Sequence, residues 1–242
     1  MAGAESRLWW YRALHHLVER ALAGHPRGKD LNLLDAGCGT GGLLEFLRQR
    51  GYVKLRGFDL SPEAVSIGRA RGLPVEPGDL RVLDQIVPAQ SADAIVSNDT
   101  LYFIPADERE HILKLFVQAL APEGLLIVNV PALDAFRGTH DRSVGITHRF
   151  SPGEVRALVG SAGLSLVQMR YWPFLLSPLI YLRRAAQRRR LARSPDLPVR
   201  SDIDLPPALL NRALELTARI ENALLPWKPF GSSLFVVGRK TS

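Results

Sequence analysis

Apolar positions recur along the 242-residue chain with two different periods, and the switches between them mark the elements. Residues 8–23 set Trp9, Trp10, Leu14, Leu17, Val18 and Leu22 at helical spacing, which predicts an amphipathic leading helix. Leu31 to Asp35 reads as a short strand running into a glycine-rich turn, Gly37 to Gly42, and then a helix with Leu43, Leu44, Phe46 and Leu47. The same unit follows again: a strand over Val53 to Asp59, then a helix opened by Ser61-Pro62-Glu63, where serine suits the cap and proline the first turn. Strands near Leu73 to Glu76 and over Ala92 to Ser97 precede a helix from about Asp107 to Leu120. Gly124 to Val130 is apolar throughout, as in a strand buried on both faces. Ser151-Pro152-Gly153-Glu154 reads as a capping box, its helix ends at Gly163, and Leu164 to Arg170 and Ser232 to Gly238 are the last two strands.

Alternating strand and helix over residues 31–170 predicts an α/β fold with a mostly parallel sheet covered on both faces. Residues 171–231 break the pattern. They hold an apolar run (Tyr171 to Leu182), an arginine-rich strip, a proline-broken stretch (Ser194 to Pro207) and an amphipathic helix over Ala208 to Leu225. The expected organisation is one domain over 1–242: a leading helix (1–24), an α/β core (30–170), a helical insertion (171–231) and a last strand (232–239).

Charge sharpens this picture at one place. The net charge is +7, and six arginines with no acid fall between Arg183 and Arg193, so the rest of the chain is close to neutral. A uniformly basic, nucleic-acid-coated protein is thereby disfavoured. Cys38 is the one cysteine, which excludes an intramolecular disulfide and a cysteine-based zinc site. Glu5 and Arg7 interrupt the N-terminus, so no signal peptide is read there, and the apolar run of about a dozen residues with Pro173 and Pro178 is short of the ~20 that a spanning helix needs. The chain reads as cytoplasmic, with peripheral contact at a membrane as an open alternative.

Gly37, Gly39 and Gly41 follow Asp35 at the end of a strand and open a helix, which lets the backbone approach a ligand closely. Gly37, Gly39 and Gly42 also satisfy the dinucleotide pattern, and Asp59, at the end of the second strand, suits a ribose in either reading. The turn alone therefore leaves a methyl-donor and a nicotinamide cofactor both open. The wider chain carries more. The segment Leu33-Leu34-Asp35-Ala36-Gly37-Cys38-Gly39-Thr40-Gly41 resembles the first motif of class I S-adenosylmethionine-dependent methyltransferases. Phe58-Asp59-Leu60-Ser61, Gly78-Asp79, Asp93 to Asn98 and Leu120 to Ile127 resemble that family's later motifs in order, with Glu123 standing where a glycine is usual. The resemblance implies a Rossmann-like seven-stranded sheet of order 3-2-1-4-5-7-6. It implies S-adenosylmethionine as cofactor, held by Asp35, Gly37, Cys38, Gly39, Gly41, Asp59, Leu60, Gly78, Asp79 and Asn98.

Acceptor chemistry is expected after the fourth and fifth strands, where ligands of open α/β sheets lie. Asn98, Asp99 and Tyr102 follow the fourth strand; His140, Asp141, Arg142, His148 and Arg149 follow the fifth. His140, Asp141, His148 and Tyr102 are the candidates for general-base work, histidine because it titrates near neutrality. His140, Asp141 and His148 could also be read as metal ligands, or His148-Arg149 as a brace for the next helix; no metal is expected. Residues 137–150 and the turn Pro229-Phe230-Gly231-Ser232-Ser233 resemble a subgroup of the family whose acceptors are diverse or unassigned, which narrows the chemistry but not the substrate. The expected activity is O-methylation of a small or lipid-linked metabolite. A non-catalytic cofactor-binding module and a nicotinamide oxidoreductase are the other classes. The arginine strip fits three roles: a solvated helix face, contact of residues 172–193 with an anionic membrane through Trp172, Phe174, Leu175, Leu176, Leu179, Ile180 and Tyr181, or polyanion binding. Base methylation of nucleic acid is argued against, because Asn98-Asp99-Thr100-Leu101 lacks the N/D-P-P-aromatic pattern.

Overall fold

The computed structural model describes residues 5–193 and 205–241. Seven strands form one sheet in the order β3-β2-β1-β4-β5-β7-β6, as expected. They are β1 (Leu33–Ala36), β2 (Leu55–Asp59), β3 (Val75–Pro77), β4 (Ala92–Asn98), β5 (Leu120–Pro131), β6 (Leu164–Trp172) and β7 (Ser233–Lys240). Only β7 runs antiparallel to its neighbours β5 and β6. The helices are α1 (Trp9–Leu22), α2 (Gly42–Arg48), α3 (Pro62–Ala70), α4 (Leu83–Ile86), α5 (Arg109–Ala119), α6 (Thr139–Val144), α7 (Pro152–Ser161), α8 (Ser177–Arg193) and α9 (Ala208–Leu224).

The pleat divides the apolar side chains between two cores. Leu33, Ala94, Val96 and Ile127 face α1, α2 and α9, whereas Leu34, Ile95, Leu126 and Val128 face α5 and α7. Each large side chain fully buried this way, such as Phe116, Phe235 or Leu44, contributes roughly 1.5–3 kcal/mol.

Strand ends differ from the sequence pattern for local reasons. β1 starts at Leu33, because Asn32 N–H is taken by the Asp93 carboxylate (2.8 Å) and ladder bonding to Lys54 begins one residue later. β5 starts at Leu120, which pairs with Ala92 across an irregularity that absorbs the turn. Within that turn Glu123 adopts φ 62°, the left-handed region that its usual glycine would take without strain. Ser61 and Ser151 cap α3 and α7 by accepting from Ala64 N and Glu154 N, each at 3.2 Å. The capping box at Ser151 is only half built. The Glu154 carboxylate turns instead to His148 Nε2 (2.8 Å) and Arg109 (3.1 Å).

The helical insertion lies between β6 and β7. Ser233 pairs with both Trp172 and Pro131, so the insertion leaves and rejoins the sheet at the carboxyl edge of the parallel strands. The apolar run and the arginine strip do not form separate elements: β6 continues to Trp172, and the remainder joins the strip in α8. The proline-broken stretch lies mostly outside the described residues. α9 packs along α1, where Asn211 Oδ1 accepts the Trp9 N–H (2.9 Å) and its amide donates to Arg7 O (2.7 Å). Arg12 pairs with the buried Glu215 at 2.7 Å.

Glu123→Gly relieves the left-handed strain at an exposed side chain whose partner, Arg239, lies 3.8 Å away. It should stabilise the fold by about 0.5–1 kcal/mol, the strain removed outweighing the added glycine entropy. Urea midpoints of the two proteins check this.

Candidate active site

The glycine-rich turn is pinned at its start, where Gly37 and Cys38 both donate to Phe58 O at the end of β2 (2.9 and 3.0 Å). Gly39 N–H donates to Asp59 Oδ2 (2.8 Å), and Asp59 Oδ1 accepts from Ser61 N (2.9 Å), so one carboxylate ties the turn to the start of α3. Gly41 has φ 82°, and a Cβ there would stand 2.6 Å from Leu73. Its role is the packing of the turn against the approach to β3.

A cavity of about 1350 Å³ opens at this carboxyl edge, larger than the roughly 300–1,000 Å³ of a typical single-ligand pocket. Of the ten residues named for the cofactor, nine line it; Gly41 does not. Three carboxylates converge at this end. Asp35 is buried, and burial, with Glu5 and Asp59 nearby, pushes its pKa well above the usual carboxylate range. Asp59 holds the turn, and Glu5 accepts from Thr40 Oγ1 at 2.6 Å. Glu5 reaches Gly39 so closely that a Cβ there would meet its carboxylate at 2.8 Å. Sequence reasoning used Glu5 only to exclude a leader; no motif announces it. Cys38 is buried against Gly57 of β2, and burial raises its thiol pKa, so it is an inert packing group. Asp79 accepts from Arg81 N (3.0 Å) and thereby orders the turn after β3.

Away from the glycine-rich turn the wall carries Trp10, Phe103, Phe136, Ile146, Leu176 and Ile180, together with Arg149, Arg183 and Arg184. The cavity is also lined by Asp99. It sits just beyond β4 with φ 56°, and both its oxygens accept from Asn129 Nδ2 (3.1 and 3.2 Å). Asn129 Oδ1 in turn accepts from Trp172 Nε1 (2.7 Å), and Trp172 stacks on Trp10 at 5.1 Å. Burial pushes the Asp99 pKa up to about 7, against the pull of the Asn129 hydrogen bond and of Arg149. Trp172, read as a membrane-facing residue, is fully buried.

The four acceptor-side candidates part company. Tyr102 and His140 line the cavity, Tyr102 with its pKa raised by burial and then by Asp99 and Tyr11. Asp141 and His148 do not line it. The buried Asp141 carboxylate is held by Arg149 through two hydrogen bonds (2.6 and 2.8 Å), which occupies it structurally. Arg149 also donates to Ala132 O (2.9 Å) and Ser232 O (3.3 Å), clasping three loops. His148 faces Glu154 and stacks edge-on to Phe150, bracing the loop against α7. His140, Asp141 and His148 therefore do not point to one centre.

Comparison with known proteins bears on the family and the fold. A family profile described as a methyltransferase domain matches residues 7–176. A trans-aconitate 2-methyltransferase of Mycobacterium sp. (strain KMS) is 34% identical over 121 residues, 50% of this chain and 44% of the relative. An ajmaline N-methyltransferase of Rauvolfia serpentina is 27% identical over 140 residues, 52% of this chain and 47% of the relative. The chain thus spans about half the length of the curated relatives it matches. Among solved structures, a SAM-dependent methyltransferase from Archaeoglobus fulgidus superposes with a TM-score of 0.59 at 14% identity, covering 93% of this chain and 94% of that one.

Arg149→Met strands the buried Asp141 charge and should cost about 3–5 kcal/mol in urea unfolding. Adding Asp141→Leu should restore most of that loss.

Proposed function

The chain belongs to the methyltransferase-domain family, and from that premise we propose that it uses S-adenosylmethionine to methylate a hydroxyl of a small, largely apolar or lipid-linked acceptor. The observation that supports this reading is a single cavity lined by the acids and glycines of the turn, by a largely apolar set that includes Trp10, Phe136, Leu176 and Ile180, and by Asp99. Its volume suits two ligands side by side.

The residues present fit the cofactor. When bound, S-adenosylmethionine supplies a methyl group already activated on a sulfonium. Glu5, Asp35 and Asp59 offer negative charge to a cationic ligand, and their mutual repulsion is relieved by it. Gly39 gives the close backbone approach, and a side chain there would fill the space Glu5 borders. Asp59 is assigned to the ribose hydroxyls, and Leu60, Gly78 and Asp79 to the adenine side. Asn98 and Tyr102 border the passage to the acceptor half. The insertion acts as a lid over that half through α8 and α9.

Methyl transfer is an in-line displacement, so the protein chiefly positions the reactants and excludes water. A hydroxyl acceptor also gives up a proton. Asp99 is the group we assign to take it, because a base of pKa near 7 is matched to neutral pH and its carboxylate is aimed by Asn129. Tyr11, Tyr102 and Arg149 are near enough to Asp99 to interact with it electrostatically. The two named relatives bear different acceptors in their names, so the apolar wall, not the family, supports the acceptor class.

Asp59→Ala should weaken S-adenosylmethionine binding at least tenfold by calorimetry and also lower the melting temperature, because Gly39 N–H and Ser61 N–H lose their acceptor; unchanged affinity removes the site assignment. Methyl transfer from labelled cofactor into fractionated cell extract tests the activity, and tight cofactor binding with no labelled product in any fraction would favour a non-catalytic module. With the labelled product as readout, kcat/KM should rise as pH passes through about 7, since Asp99 acts deprotonated and is protonated below that pH. Asp99→Asn should lower the rate by about 10²–10⁴ and abolish that rise, with cofactor affinity retained.

A further inference from the structure

Helix α9 buries its acids and leaves an apolar stripe exposed. Its inward face carries Glu215, Glu221, Asn222 and Ala218, all buried. The acids there are matched by partners. Glu215 pairs with Arg12, and Glu221 accepts from Phe174 N (2.8 Å), Leu175 N (2.7 Å) and Lys228 Nζ (3.1 Å). Its outward face carries a single apolar stripe, Leu209, Leu216, Ile220 and Leu224, at spacings i, i+7, i+11 and i+15. These side chains are 86%, 54%, 46% and 72% exposed, and Trp227 just beyond the helix is 75% exposed. A helix that solvates its leucines and buries its acids is arranged for an apolar exterior.

The charges beside the stripe identify that exterior. Arg212 and Arg219 border it on α9, and the exposed positions at α8 include Leu175 just before the helix, then Leu182, Arg189 and Arg190 within it. Glu215 and Glu221 are the acids among the described residues of the insertion, and both are buried. The surface is thus leucine and arginine with no exposed carboxylate among the described residues. No described helix is long and apolar enough to cross a membrane. We propose that the outer face of α9, with the outer arginines of α8, docks on an anionic lipid surface, helices lying in the interface plane. A second copy of the chain is the less favourable occupant, because two such faces would bring arginine against arginine. The same helices turn Leu210, Leu214, Leu179 and Ile180 into the cavity wall, so its mouth is framed by the docking elements.

Flotation with phosphatidylglycerol-rich vesicles, against vesicles of phosphatidylcholine alone, tests the proposal on the full chain. The protein should float with the anionic vesicles, less with the neutral ones, and less as salt is raised. Arg189→Gln/Arg190→Gln/Arg212→Gln should weaken partitioning about a hundredfold, at roughly fivefold per arginine. Leu216→Ser/Ile220→Ser should also reduce it, with melting temperature and S-adenosylmethionine affinity unchanged in both variants. Failure of the wild type to float at low salt would overturn the proposal, as would undiminished flotation of the serine variant. A wild-type dimer in sedimentation that the serine variant converts to monomer would instead assign the face to self-association. Cofactor binding is read separately, so loss of docking and loss of the enzymatic reading are distinguishable.

Discussion

One buried amide fixes the geometry of the site. Asn129 stands in β5, fully enclosed, and receives the indole N–H of Trp172 on its oxygen. An indole nitrogen only donates, so the amide has one orientation, and its N–H₂ group faces Asp99. The carboxyl ends of β6, β5 and β4 are thereby locked in one hydrogen-bonded line. The tryptophan holds Trp10 of α1 by stacking, so the leading helix is referenced to the same line. A carboxylate aimed by a donor that cannot turn is preorganised before any ligand arrives.

The fold was legible because its signals are local. Apolar strands, serine caps and glycines at strand–helix turns each need only a few neighbouring residues, and the cofactor half follows from them. Asp99, Asn129 and Trp172 were not legible as a unit, since they are spread over three strands and only the tertiary structure joins them. Asp141 and His148 looked like chemistry because acids and histidines in a loop usually invite it. Their partners, Arg149 and Glu154, belong to the same loop and the next helix, and turn them into fasteners. Glu154 shows the competition directly: a cap for its own helix was given up for a histidine and an arginine.

Helix α9 marks a different limit. Its apolar periodicity was plain in the sequence, but periodicity has no sign. It tells that a helix has two faces and not which one is buried. The usual rule places the leucines inside, and here Arg12, Lys228 and two backbone N–H groups offer the acids a better interior. The polar partners, most of them contributed by distant segments, decide the orientation.

The hydrogen bonds of Asn211 to both Trp9 and Arg7 carry one more consequence. They make α9 and the start of α1 a single lever. One arm ends at Glu5 beside the glycine-rich turn, and the other at Leu210 and Leu214 in the wall of the apolar half. The position of α9 is thus tied by hydrogen bonds to the segment that carries Glu5, while its own Leu210 and Leu214 line the same cavity.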